Sequence, residues 1–167
     1  MPTMLVLPWR WSGAPRPRNA LVFASRFEGA GFRQGWRLLI GGVRLRGAVL
    51  GAPGALGVSL RAHPIQGRYY TLSMWRDQES LMAFANGPAH QRAVRGLAAL
   101  GPVQGVLVSR DADPQQRPTW RDTTRWLTAV DTGPYRHQAR PAPPEQARPA
   151  PVSPDPGRPR RSRSGIR

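Results

Sequence analysis

The feature that most constrains this chain is a pair of alternating stretches held five residues apart. ALGVSLRA (55–62) sets Leu56, Val58 and Leu60 against Gly57, Ser59 and Arg61. RYYTLSMW (68–75) sets Tyr70, Leu72 and Met74 against Tyr69, Thr71, Ser73 and Trp75. Period-two alternation is the pattern of a strand with two different faces, and HPIQG (63–67) has the length and residues of a hairpin loop.

The flanks of this hairpin extend the pattern. ALVFASRF (20–27) reads as a further strand. Residues 31 to about 50 place Phe32, Trp36, Leu39, Ile40, Val43 and Leu50 on a helical stripe, with Arg33, Arg37, Arg44 and Arg46 mostly off it. The Gly41-Gly42 pair costs that helix roughly 1 kcal/mol per glycine relative to alanine, so packing must hold it. GAPG (51–54) stops it. After the hairpin, Asp77 is placed to cap a second helix, with Glu79 in the first turn where the helix dipole favours a negative charge. That helix carries Leu81, Phe84 and Ala85, and Pro88 opens a continuing segment that runs to Leu100. GPVQGVLVSR (101–110) is a last strand, and TWRDTTRWL (119–127) a short helix capped by Thr119.

The order predicts an α+β, ferredoxin-like β-α-β-β-α-β antiparallel sheet with two main helices on one face. A single helical layer leaves the other sheet face bare and apolar, and a homodimer is the expected way to bury it.

The expected domain is 19–132, after an irregular segment at 1–18. Residues 133–167 form a tail rich in proline and arginine. From Pro134 the chain has nine prolines and almost no large apolar residue, so it cannot offset its ordering entropy and is expected to be disordered. There is no cysteine, which removes disulfides, zinc–thiolate sites and cysteine nucleophiles. The opening apolar run is cut by Pro8, which leaves no signal peptide or membrane span, and a cytoplasmic location is expected.

The formal charge of +16 invites a nucleic-acid reading, but every basic residue is arginine and there is no lysine. Together with heavy Ala, Gly and Pro usage, that is the codon bias of a GC-rich genome. Residues 134–167 hold 8 Arg against Glu145 and Asp155, while the other Arg are spread along the chain instead of forming a phosphate-tracking stripe. Nucleic acid is therefore not the expected partner.

TLSMWRDQESLMAFANGPAHQRAVRGL (71–97) resembles the strand-to-helix segment of the dimeric α/β-barrel superfamily that includes antibiotic-biosynthesis monooxygenases. Within it, GPAHQRAVRGL is similar to the corresponding stretch of spheroidene monooxygenase-like proteins. ASRF (24–27) and APGALGVSLRA (52–62) resemble uncharacterised actinobacterial relatives of that group. The resemblance covers about 20–127 and implies a dimeric α/β barrel. It leaves the chemistry open between cofactor-free oxygenases, haem enzymes and proteins without activity. Spheroidene monooxygenase-like enzymes use haem, which makes His90 the candidate axial ligand. The haem-degrading branch carries a Trp inside the second helix and a His one turn beyond His90; here Phe84 and Val94 hold those places, which argues against haem degradation.

His90 is the candidate catalytic and cofactor-binding residue, because a neutral imidazole can ligate iron or relay a proton. Against this, a single histidine just after Pro88 can equally serve as a helix cap. His63, His90 and His137 share no ligand spacing, so no metal site is expected. Trp75 is the second catalytic candidate, and with Tyr69, Thr71, Ser73 and Phe84 it would wall a pocket for a flat ligand; the alternative is a core or interface tryptophan. Arg26 and Arg61, at strand ends, could pair with a carboxylate or propionate. Phosphate loops and nucleophile elbows are absent, and Asp111 and Asp113 stand close together in an expected loop.

These features lead to a monooxygenase-like homodimer oxidising an apolar small molecule of polyketide or isoprenoid type, with haem or without a cofactor. One alternative is a non-catalytic ligand-binding or structural dimer of the same fold. The other is polyanion binding through RPRRSRSGIR (158–167).

Overall fold

The structure, a computed structural model, describes residues 4–29, 32–98, 104–130 and 133–134. The expected tail beyond 134, His137, and the ends of the second helix and last strand at 99–103 lie outside the described residues.

The strands are β1 (Leu5–Trp11), β2 (Ala20–Glu28), β3 (Ala55–His63), β4 (Arg68–Trp75), β5 (Gln104–Ala112) and β6 (Gly133–Pro134). The helices are α1 (Phe32–Leu50), α2 (Gln78–Asn86), α3 (Pro88–Ala98) and α4 (Trp120–Thr128). All strand pairs are antiparallel, in the order β1-β3-β4-β2-β5-β6. The inner order β3-β4-β2-β5, reached through β2-α1-β3-β4-α2/α3-β5, is the ferredoxin-like arrangement.

The predicted caps form. Asp77 accepts from the Ser80 amide at 2.7 Å, and the Thr119 hydroxyl accepts from the Asp122 amide at 3.2 Å. The β3–β4 hairpin turns through a 3₁₀ segment at Pro64–Gln66 and closes on Gly67, whose φ of 64° suits a residue without a Cβ.

Three expectations need correction. First, the segment 1–18 is not wholly irregular. β1 adds an edge strand to β3, pairing Val6 with Arg61 and Trp11 with Gly57. Trp9 lies so close over Gly57 that a Cβ there would overlap the indole.

Second, the apolar stripe assigned to the first helix is split, with Leu39 and Leu50 packed against the core and the rest of its described residues turned outward. Trp36, Ile40 and Val43 are exposed, whereas Gly35, Leu38 and Val49 are buried. Gly35 lets α1 settle onto the sheet, because the Tyr69 hydroxyl occupies the space a Cβ would need. A hydrophobicity pattern favours the bulky residues and overlooks a face made tight by a missing side chain.

Third, the sheet face opposite α1, α2 and α3 is not bare. It carries Val22, Ala24, Leu72, Met74 and Val106, and Leu127 of α4 packs onto it with Trp9, Trp11, Trp120 and Trp126 around the rim. Leu127 is 1% exposed, and fully burying such a side chain stabilises by about 2 kcal/mol. The two main helical segments, α1 and the α2–α3 pair broken at Pro88, lie on one face as expected, and the short α4 covers the other. The amphipathic α4 packs its Leu127 against this face within the chain.

Candidate functional site

The β4 register sets the two faces. Tyr69, Thr71, Ser73 and Trp75 lie opposite Phe27, Ser25, Phe23 and Leu21 of β2, all toward the α1–α3 layer. The sequence pattern thus groups these four β4 residues correctly on one face. The structure then divides them between two environments.

At one end Trp75 is 1% exposed, enclosed by Val49, Ala55, Val58 and Leu81. Its indole Nε1 donates to the Ser73 hydroxyl at 2.9 Å, and the Ser73 hydroxyl donates to the Phe23 carbonyl at 3.5 Å. The Phe84 ring lies 5.2 Å from Trp75 and 5.8 Å from His90. A buried indole whose one donor is satisfied internally is a packing element. His90, the third residue of α3, donates from Nδ1 to the Ala85 carbonyl at 2.8 Å, as Gln91 Nε2 does at the same distance. Because that partner can only accept, the imidazole lone pair is placed on Nε2. His90 therefore bridges the α2–α3 corner.

At the other end Tyr69 and Thr71 line a cavity of about 750 Å³ between α1, α3 and the sheet. Residues 60–62 and 69–71 form its floor, Leu38 and Leu45 one wall, and Ala89 and Ala93 the other. Arg37, Arg44 and Arg92 stand exposed at its rim. The lining is mainly apolar with few polar groups, as in small-molecule sites. Thr71 shares a hydrogen bond with the Ser25 hydroxyl. Burial raises the Tyr69 phenol above its ordinary pKa, so it stays protonated at neutral pH.

Of the predicted site residues, Tyr69 and Thr71 line this cavity, whereas Ser73, Trp75, Phe84 and His90 do not. The residues missed by sequence are the small ones of α3. Ala89, Ala93 and Gly96 recur at i, i+4 and i+7 and open the space, a spacing visible in the sequence but without chemical signature. His90, the candidate haem ligand, does not line this cavity. Asp113 caps its own turn, accepting from the Gln115 amide at 2.8 Å. Among the described residues no three His, Asp or Glu side chains cluster as metal ligands, and no helix is long and apolar enough to cross a membrane.

On the opposite face, Arg26 and Arg61 both pair in register with Tyr70, so β3, β4 and β2 set Arg61, Tyr70 and Arg26 in one row. The next row holds His63, Arg68 and Glu28.

Residues 43–96 match the antibiotic biosynthesis monooxygenase family, a span running from the middle of α1 nearly to the end of α3. Among solved structures, the chain resembles a provisionally assigned monooxygenase of Fusobacterium nucleatum. The TM-score there is 0.50 at 8% identity, over 65% of this chain and 48% of that one. SnoaB from Streptomyces nogalater, a cofactor-independent oxygenase, aligns with 97% of its length and 61% of this chain, at 17% identity and a TM-score of 0.45. A provisionally assigned antibiotic biosynthesis monooxygenase of Deinococcus radiodurans aligns with 96% of its length and 59% of this chain, at 16% identity and a TM-score of 0.47. No curated protein sequence matches the chain significantly.

Proposed function

We propose that this protein is a monooxygenase acting on a flat, apolar, polycyclic small molecule of polyketide type in the cavity between α1, α3 and the sheet. The observation that carries the proposal is the cavity itself: about 750 Å³, apolar within and ringed at its mouth by Arg37, Arg44 and Arg92. That volume suits a ligand of several fused rings. The family match over residues 43–96 supports the reaction class.

The chemistry follows from what the cavity offers. Guanidinium groups at the rim favour the anionic form of a phenol- or enol-bearing substrate, lowering its pKa and easing proton loss to water at the open mouth. Tyr69, kept protonated, donates toward a substrate oxygen, and the paired Ser25 and Thr71 hydroxyls offer a further polar contact. A substrate methylene activated in this way supplies all four electrons that O₂ takes up, so no external reductant is needed. With O₂, the CH₂ becomes C=O, one oxygen atom enters the product, and the other leaves as water with the two hydrogens. An isoprenoid without such an acidic C–H needs an external reductant, which is why the polycyclic class is preferred.

The homodimer stays part of this proposal, with the exposed Trp36–Ile40–Val43 ridge of α1 as its surface in place of the face covered by α4.

The test is incubation of the purified protein with an anthrone-type tricycle under ¹⁸O₂. The expected product is a quinone carrying one ¹⁸O atom, formed faster than in buffer, with the gain lost in Ala93→Trp. Binding of the tricycle without turnover would replace this reading with that of a non-catalytic ligand-binding protein.

A further inference from the structure

The sheet face opposite the cavity carries a second group of residues that the proposed oxygenase chemistry does not use. Arg61, Tyr70 and Arg26 stand side by side on adjacent strands, with His63, Arg68 and Glu28 in the next row on the same face. Neighbouring strands are about 4.8 Å apart, so the six side chains share one compact patch. It lies just beyond the end of α4, where the Trp120 ring meets Tyr70 edge-on at 6.3 Å. His63 meets Tyr70 edge-on from the other side at 6.1 Å.

The charges in this patch do not balance. Glu28 is its one carboxylate, and it lies 3.5 Å from Arg26 Nε and 3.6 Å from Arg68 Nε. Arg61 has no carboxylate partner among the described residues. Its Nε is buried from solvent and has no acceptor, and His63 Nδ1, two residues along the same strand face, is buried without a partner as well. Such groups cost stability unless something meets them. Burial, with Arg61 and Arg68 adding to it, holds the His63 pKa below its ordinary value.

We propose that Arg61, His63 and Tyr70 form a binding site for a small aromatic carboxylate, on the sheet face opposite the cavity. A carboxylate matches the planar guanidinium fork of Arg61 and supplies the acceptor that Nε lacks. Three arginines against Glu28 alone leave the patch with a net charge of +2 that favours an anion, and its aromatic neighbours favour a planar aryl carboxylate over phosphate. The edges of Tyr70 and Trp120 give an aryl group apolar walls. The site is independent of the proposed oxygenase reaction.

The experiment is titration of the full-length protein with benzoate, acetate and inorganic phosphate, followed by calorimetry and tryptophan fluorescence. Saturable benzoate binding in the millimolar range or tighter is expected, with acetate weaker. Arg61→Gln should weaken benzoate by about tenfold or more, and Arg61→Lys, which keeps the charge but loses the fork, by less. Ala93→Trp, which fills the cavity on the other face, should leave benzoate affinity unchanged. Circular dichroism establishes that each variant is folded; if Arg61→Gln is not, the Lys variant carries the comparison. The proposal fails if benzoate does not bind, if both Arg61 variants bind like the parent, if phosphate binds more tightly, or if Ala93→Trp abolishes binding.

Discussion

The Trp120 indole of α4 donates to the Ser59 hydroxyl of β3 at 3.1 Å, and Ser59 in turn donates to the Leu7 carbonyl of β1 at 2.8 Å. One 2%-exposed serine thus ties the C-terminal helix and the N-terminal strand to the middle of the sheet. Thr123 and Leu127, the buried residues of α4, follow Trp120 at helical spacing and complete the contact. The face that sequence patterning left bare is closed through this joint.

Ser59→Ala removes the acceptor for Trp120 and leaves its buried N–H unmet. A stability loss of about 1–3 kcal/mol is expected from urea unfolding followed by tryptophan fluorescence. An unchanged midpoint would show that α4 does not depend on this contact.

Asp77 carries a pH dependence whose sign is fixed. The Ser80 hydroxyl and amide, followed by the Arg76 guanidinium, lower its pKa from 3.8 to about 2. The folded state binds this proton less readily than the unfolded one. Its contribution is therefore complete above about pH 4 and is lost as the pH falls toward 2. Asp77→Ala should cost about 1 kcal/mol at pH 7 and show a flatter stability curve between pH 4 and 2 than the parent, measured by thermal melts in matched salt.

His90→Ala should lower stability by about 1 kcal/mol through loss of the bond to the Ala85 carbonyl. Affinity of the cavity for a polycyclic ligand should change less than twofold, because His90 is not part of its wall. Equilibrium dialysis decides the point, and a loss of about tenfold or more would return His90 to the site.

Trp36 is 54% exposed on α1, with Ile40 and Val43 on the same ridge. Sedimentation equilibrium of the parent should give the mass of a dimer, and Trp36→Glu should shift it to the monomer without loss of helicity. A parent that sediments as a monomer would remove the dimer from the proposed function.

The sequence determined the element order from β2 to α4, the hairpin, the two helix caps and the shared face of Tyr69, Thr71, Ser73 and Trp75, because each depends on neighbours within a few residues. The tertiary structure alone decided what covers each face. The coupling of Trp120 to Ser59 spans 61 residues, and that of Ser59 to Leu7 spans 52, distances over which no periodicity survives. It also decided that Trp75 and Tyr69, equivalent by alternation, have different surroundings. Phe84 and Leu81 of α2 fill the space over Trp75, whereas the small residues of α3 leave space beside Tyr69. The row of Arg61, Tyr70 and Arg26 belongs to the same class of information. Alternation assigns each residue a face, but only the pairing register brings two arginines 35 positions apart to either side of one tyrosine.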